Sequence, residues 1–333
     1  MPRGMQFTLF VTAMAWAAAA NVIAERAAAG IAVRFQLGMA ESLLENLFLL
    51  FLAVVGFRAL DWIATRSRYS DQALPLPKRA GWQVEWAVGV AIGWGLCLAV
   101  VLPVLLSGHL HAQFVWNSNT AIALLVSTAS VLAGTLALEV VFHGYAFRRL
   151  IDSVGPSWAA VMISVLFSVL VIAANTPRNA MLGLIDCTMF GLLLAMAWLR
   201  TYGLWLGWGL HFGYRAVMAL ALGLPVAGRA EFGSPTDMYT SGPRWLTGGA
   251  FGLDAAFLTF FVMLGGMAML YRATREYAWH YTAPTLESAG YEVVVAPPAA
   301  HVAMEKAASP PSLVQILPTT SQARSVVEIP PQI

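Results

Sequence analysis

The fold of this chain is decided by one apolar stretch, TAIALLVSTASVLAGTLALEVVFHGYAF, which covers residues 120–147. About 20 consecutive apolar residues are long enough to cross the hydrocarbon core of a bilayer as a helix, so this stretch predicts a transmembrane helix. Two ionisable residues, Glu139 and His143, interrupt the apolar run four positions apart. Residues at that spacing share one face of a helix, and ionisable groups inside a membrane mark candidate functional sites.

The rest of the chain has the same apolar character. Its residues are 59% hydrophobic and 11% charged, and the mean hydropathy is +0.70. A water-soluble globule of this length could not bury so many apolar residues, so we predict an all-α polytopic transmembrane helix bundle. It has about eight spans, near residues 7–24, 42–64, 86–106, 120–147, 157–175, 180–200, 202–224 and 250–271.

Charge and cysteine content narrow the functional classes further. If the amino terminus is cytoplasmic, the loops on the inside hold the larger share of Lys and Arg, so we predict that both termini are cytoplasmic. The expected location is the cytoplasmic membrane of a prokaryote. The net charge is only +2, and membrane orientation accounts for the basic residues, so no nucleic-acid partner is implied. Cys97 and Cys187 lie inside apolar spans and are interpreted as packing residues.

Three short motifs resemble the signature of a known family. Leu138–Gly144 resembles a Glu-Glu-x-x-x-Arg-Gly motif, Phe167–Val171 falls where Phe-x-x-x-His is expected, and His211–Arg215 falls where His-x-x-x-Asn is expected. The order of features from about Thr120 to Gly252 matches as well, including the loop Ser241–Gly252 before the last span. The chain therefore resembles the CPBP intramembrane proteases, the type II CAAX prenyl endopeptidases.

The resemblance implies the fold, but most of the family's polar site residues are replaced. It assigns the general base of a metal-dependent protease to the position of Leu138, and two further polar groups to the positions of Val171 and Arg215. Of the four expected polar groups only His211 is present. A leucine cannot take a proton, and a guanidinium only donates hydrogen bonds and opposes a divalent cation.

Arg215 carries a charge that needs a partner if it lies within the membrane. Glu139 and Asp186 are the candidate partners, so a structural ion pair is the leading interpretation of these residues. An alternative uses Glu139 and His143, which share a helix face, together with His211 from another span. This Glu/His/His set is of a kind that zinc accepts.

Two functions follow from these alternatives. The leading hypothesis is a catalytically degenerate member of the family that acts as an accessory, assembly or structural subunit with other integral membrane proteins, possessing no firm cofactor. The rival is an active metal-dependent intramembrane endopeptidase that uses Glu139, His143 and His211 with zinc. A transporter or channel has little support, because too few intramembrane ionisable groups are present to form a pathway.

The chain divides into two regions. Residues 1–275 form the predicted bundle, with the family-like core at about 120–271. Residues 276–333 form a cytoplasmic tail with the proline pairs Pro297-Pro298, Pro310-Pro311 and Pro330-Pro331. Because this tail lacks helical periodicity, we predict that it is flexible or bound to a partner.

Overall fold

A computed structural model describes residues 1–66, 74–115, 119–175, 181–229 and 233–275. The predicted tail, 276–333, lies outside the described residues. The described helices are α1 Arg3–Phe35, α2 Glu41–Thr65, α3 Trp82–Leu106, α4 Thr120–His143, α5 Tyr145–Val154, α6 Pro156–Asn175, α7 Met181–Thr201, α8 Trp205–Arg215, α9 Arg244–Thr247 and α10 Phe257–Ala273. Two short strands, β1 Leu110–Phe114 and β2 Thr236–Thr240, pair with each other. The predicted all-α transmembrane bundle is confirmed.

Six helical segments in the described part of the chain are long and apolar enough to cross a membrane. They coincide with the first six predicted spans. The predicted span at 202–224 is instead the 11-residue α8 followed by a π-helical turn, Ala216–Ala221. The predicted span at 250–271 contains α10, which has 17 residues. Gly248, Gly249 and Gly252 adopt positive φ angles there, so the backbone turns before α10 begins.

The helix quoted at the start of the sequence analysis breaks at Gly144. At this residue the backbone leaves helical geometry, with φ −87° and ψ −126°. A Cβ atom on Gly144 would lie 2.3 Å from the carbonyl oxygen of Val140, so a side chain has no room there. The chain therefore ends α4 directly after His143 and restarts as the short helix α5.

Helices α3 and α8 pack against each other through their backbones. A Cβ atom on Gly209 would lie 2.2 Å from the carbonyl oxygen of Trp86, and one on Gly93 would lie 2.2 Å from that of Leu210. Gly89 and Gly213 are equally restricted by the facing helix. Small residues let membrane helices approach closely, and these glycines do so here.

A buried ion pair joins the first two helices to α5. Arg149 donates through Nη2 to Asp61 of α2 and through Nη1 to Gln6 of α1, at 3.2 Å. Its guanidinium also lies over the ring of Tyr145, 4.7 Å from the centroid. Buried charges in membrane proteins are commonly paired in this way. The network fixes the end of the α1–α2 pair against the segment that follows α4.

Contacts between loops sort the helix ends into two groups. At one end β1 pairs antiparallel with β2, so that Leu110 faces Thr240 and Phe114 faces Thr236. At the other end Arg79, before α3, donates to the carbonyl oxygen of Thr201 at 2.8 Å, and Arg200 donates to Thr274 after α10. The ends therefore alternate as expected for a chain that crosses a bilayer repeatedly.

Candidate functional site

The predicted Glu/His/His residues meet inside the bundle. His143 lies 3.0 Å from Glu139, between Nδ1 and Oε2, and His211 lies 2.9 Å away, between Nδ1 and Oε1. All three side chains are at most 2% exposed. We call these three residues the Glu139 cluster. Because an ionised carboxylate only accepts hydrogen bonds, both imidazoles donate through Nδ1–H.

The cluster is assembled from two helices. Glu139 and His143 are one turn apart at the end of α4, and His211 comes from the middle of α8. A second contact fastens the same two helices, because the indole Nε1 of Trp208 donates to the carbonyl oxygen of Leu132 at 3.1 Å. A Cβ atom on Gly207 would lie 3.1 Å from Oε2 of Glu139. The glycine therefore gives the carboxylate its space beside α8.

Aromatic rings enclose the cluster. The ring of Phe147 stands edge-on to His143 at 5.7 Å between centroids, and the ring of Phe190 stands edge-on to His211 at 5.3 Å. Phe167 approaches His211 at 6.3 Å. In so apolar a setting each hydrogen bond to the carboxylate is stronger than in water, and an unpaired carboxylate would be destabilising.

The family-motif positions that have lost their polar groups lie in apolar packing. Leu138 and Val171 are partly buried and pack against the core that also contains Phe142 and Phe167. Leu138 is adjacent to Glu139 in sequence, but successive residues of a helix point about 100° apart. Glu139 therefore does not occupy the place at which the resemblance puts a general base.

The ion pair predicted for Arg215 with Glu139 or Asp186 stays a prediction. Both carboxylate oxygens of Glu139 are engaged by the two histidines. Glu139 lies level with His211, whereas Arg215 is four residues, or about 6 Å, farther along α8.

A carboxylate that sequence reasoning missed, Asp254, contacts the last turn of α8. It is 9% exposed. Asp254 accepts hydrogen bonds from the Tyr214 hydroxyl at 2.7 Å and from the backbone N–H of Ala227 at 2.8 Å. It follows the loop Ser241–Gly252 in a short 3-10 turn, and no periodic pattern in the sequence connects this turn with α8.

The residues present, as arranged here, do not fit a zinc site. In the described part of the chain no group of three or more His, Cys, Asp or Glu side chains is arranged to hold a metal ion. Both imidazole nitrogens that face Glu139 carry protons, and a protonated nitrogen cannot ligate. Nε2 of His143 is buried and lacks a hydrogen-bond partner among the described residues, but the other donors do not converge on it.

Comparison with known families agrees with the fold and with the motif positions. Residues 119–217 match a family model described as Type II CAAX prenyl endopeptidase Rce1-like. The matched range runs from the start of α4 to just beyond α8, so it contains the whole Glu139 cluster and Arg215. The match supports the resemblance of this part of the chain to the CPBP/CAAX protease family. No curated protein and no solved structure matches the chain.

Proposed function

We propose that this CAAX-protease-like membrane protein is catalytically degenerate and acts as an accessory, assembly or structural subunit with other integral membrane proteins. One observation carries the proposal. Both carboxylate oxygens of Glu139 accept hydrogen bonds from protein groups, His143 and His211, inside an aromatic enclosure. A carboxylate paired in this way connects two helices instead of activating a water molecule.

The replaced motif positions support the loss of chemistry. Leu138 cannot act as a general base, Val171 offers no ligand, and Arg215 adds a positive charge where a divalent cation would need donors. These three replacements together remove the proton acceptor and two further polar groups of the family's site.

The outer helices support a role among other membrane proteins. In α1 and α2 only 28% of the residues in the most apolar window are buried inside the chain. Most of the surface of α1 and α2 therefore faces outward, where lipid or another membrane protein can cover it. A fold kept after the loss of its chemistry needs such a surface to be useful in an assembly.

The test is native mass spectrometry of the full chain, extracted gently from its own membrane, combined with a cleavage assay on a farnesylated CAAX peptide. We expect defined partner proteins, no stoichiometric zinc and no cleavage above the background of the membrane extract. Cleavage that disappears in Glu139→Gln and His211→Ala, at unchanged expression, would overturn the proposal.

A matched gain-of-function variant sharpens this test. Leu138→Glu, Val171→His and Arg215→Asn together restore the polar groups that the family resemblance expects. We expect the unmodified chain to be inactive. Cleavage by the triple variant would therefore attribute the loss of activity to these three positions. Equal cleavage by both proteins would instead show that these positions are not the ones that decide activity.

A second candidate, an active metal-dependent endopeptidase, has one observation in its favour. Glu139, His143 and His211 do come together in a buried site, as a rewired Glu/His/His set requires. This candidate predicts that zinc added to the purified protein binds stoichiometrically and that His143→Ala abolishes binding. The degenerate subunit predicts no such binding in either protein.

A further inference from the structure

One arginine lies on the outward face of a transmembrane helix. Arg58 of α2 is exposed, and its neighbours on the same face are Val55, 47% exposed, and Trp62, 48% exposed. Phe51 continues this face toward the start of the helix. The adjoining face of α2, with Ala53, Phe57 and Asp61, is buried against the bundle. Arg58 therefore points away from the protein, among apolar side chains.

Arg58 makes no ion pair with any residue that the structure describes. Two other arginines near the same end are paired, Arg149 with Asp61 and Arg79 with Glu85. A guanidinium stays charged at every relevant pH and supplies five N–H donors. A lone guanidinium on a lipid-facing surface therefore requires an anion from outside the chain.

The depth of Arg58 identifies the anion. Asp61 contacts Arg149 of α5, and that short helix carries Asp152, whose side chain is 53% exposed. This places Asp61 near the membrane boundary, and Arg58 is three residues, or about 4.5 Å, farther inside. Trp62 lies on the same face one turn nearer the boundary, where tryptophan is typical. The long arginine side chain can extend back toward the boundary, where a phospholipid phosphate is the anion that it meets.

Two further cations lie at the same end of the α1–α2 pair. Arg3 begins α1 and Arg66 ends α2, and both are exposed. Neither takes part in an ion pair among the described residues. The sequence predicts that this end is cytoplasmic, where the leaflet is rich in anionic lipid. The local charge thus favours an anionic headgroup over a zwitterionic one.

We propose that the outward face of α2 binds an anionic phospholipid, with Arg58 donating to the phosphate oxygens and an acyl chain lying along Val55 and Phe51. Trp62 lies on the same face, between Arg58 and the boundary. Arg3 and Arg66 add charge but are not required for the phosphate contact. The proposal concerns a surface remote from the Glu139 cluster and holds whether or not the protein is an enzyme.

The test compares lipid binding by the full chain and three variants, using native mass spectrometry from nanodiscs that hold equal amounts of phosphatidylglycerol and phosphatidylcholine. We expect the unmodified chain to retain phosphatidylglycerol preferentially, and Arg58→Ala to weaken that retention about fivefold. Arg58→Lys should keep part of it, because the charge remains. Arg26→Ala removes an exposed arginine at the other end of α1 and should leave retention unchanged.

Three results would overturn the proposal. The first is that Arg58→Ala retains phosphatidylglycerol as well as the unmodified chain does, at equal thermal stability. The variant could instead lose a co-purifying membrane protein while it keeps the lipid, which would make a partner's carboxylate the anion. Equal retention of phosphatidylglycerol and phosphatidylcholine, together with binding of inorganic phosphate that Arg58→Ala abolishes, would show that free phosphate, and no lipid, is the ligand of Arg58.

Discussion

Glu139 holds two helices together through a single carboxylate. One oxygen accepts from His143 on its own helix, and the other accepts from His211 on α8. The first bond orients the side chain, whereas the second crosses between elements. Removing the negative charge should therefore affect the packing of α8 as well as the local geometry of α4.

We expect Glu139→Gln to lower the free energy of unfolding by about 1–3 kcal/mol. The amide keeps the shape of the carboxylate but replaces one acceptor oxygen with a donor, which then faces an imidazole N–H. Thermal unfolding in detergent, followed by the loss of helical circular dichroism, measures the change. Glu25→Gln is the matched control, because Glu25 is exposed on α1, and it should leave the midpoint unchanged. Equal midpoints for both variants would contradict the prediction.

The buried pair of Asp61 and Arg149 provides a second prediction at this scale. Their side chains are 2% and 5% exposed, so Arg149→Ala leaves an uncompensated buried carboxylate and should destabilise the protein by about 3–5 kcal/mol. Asp61→Leu combined with Arg149→Met should be less harmful than Arg149→Ala, because no lone charge remains. The same unfolding measurement applies.

A control for that pair is available on α5. The Asp152 carboxylate is 53% exposed and lies 4.0 Å from Arg149. Asp152→Ala should therefore change stability by less than about 1 kcal/mol. If it were as harmful as Arg149→Ala, the buried contact with Asp61 would not be the main role of the arginine.

At the scale of the elements, hydropathy predicted the long helices correctly, because a helix that crosses a bilayer needs a long run of apolar residues. The predicted spans 42–64 and 86–106 correspond to α2 Glu41–Thr65 and α3 Trp82–Leu106. The first helix is longer than its predicted span 7–24 and reaches Phe35. Its extension is rich in alanine, which favours helix in water and in lipid alike. Hydropathy alone therefore does not predict that the helix continues.

The site was only partly predictable for a related reason. The spacing of Glu139 and His143 places both on one helix face, and that face was read correctly. The partner of Arg215 stays a prediction, because sequence spacing does not give the relative depth of residues on different helices. Asp254 was missed altogether, since a loop brings it to Tyr214 and Ala227 and loops leave no periodic pattern.

The contact between α3 and α8 depends on glycines, and this can be tested within one helix. Gly93→Ala places a methyl group against the backbone of α8, 2.2 Å from the carbonyl oxygen of Leu210, and should destabilise the protein by about 1–3 kcal/mol. Gly95→Ala is the control, because nothing lies within 4 Å of its added Cβ. It should be neutral or stabilising by up to about 1 kcal/mol.

Gly93→Ala and Gly95→Ala differ only in the surface that the methyl group meets. Thermal unfolding of the two purified proteins, measured side by side, therefore isolates helix packing from helix propensity. If both changed the midpoint equally, the close approach of α3 and α8 would not contribute to stability.

At the scale of the whole molecule, the two groups of helix ends predict a membrane topology. Tyr239 on β2 is 52% exposed at the end that carries the strand pair, and Lys78 is exposed at the other. With the cytoplasmic side assigned by the excess of Lys and Arg, a membrane-impermeant maleimide should label Tyr239→Cys in intact cells. Lys78→Cys should be labelled only after the membrane is permeabilised.

The unmodified chain is a suitable background for this experiment, since Cys97 and Cys187 are both buried. Labelling of both engineered cysteines from the same side would contradict the alternation of helix ends. The reversed pattern would leave that alternation intact and would invert only the assignment of the cytoplasmic side.

The pairing of β1 with β2 also has a consequence for how the protein is made. Phe114 and Thr236 face each other in the strand pair, but the ribosome adds the second long after the first. At a synthesis rate of about 5–20 residues per second, the earlier strand waits on the order of ten seconds for its partner. The strand pair closes only once the intervening helices α4 to α8 have been inserted, so its formation separates their insertion from that of α10, which follows β2 in the chain.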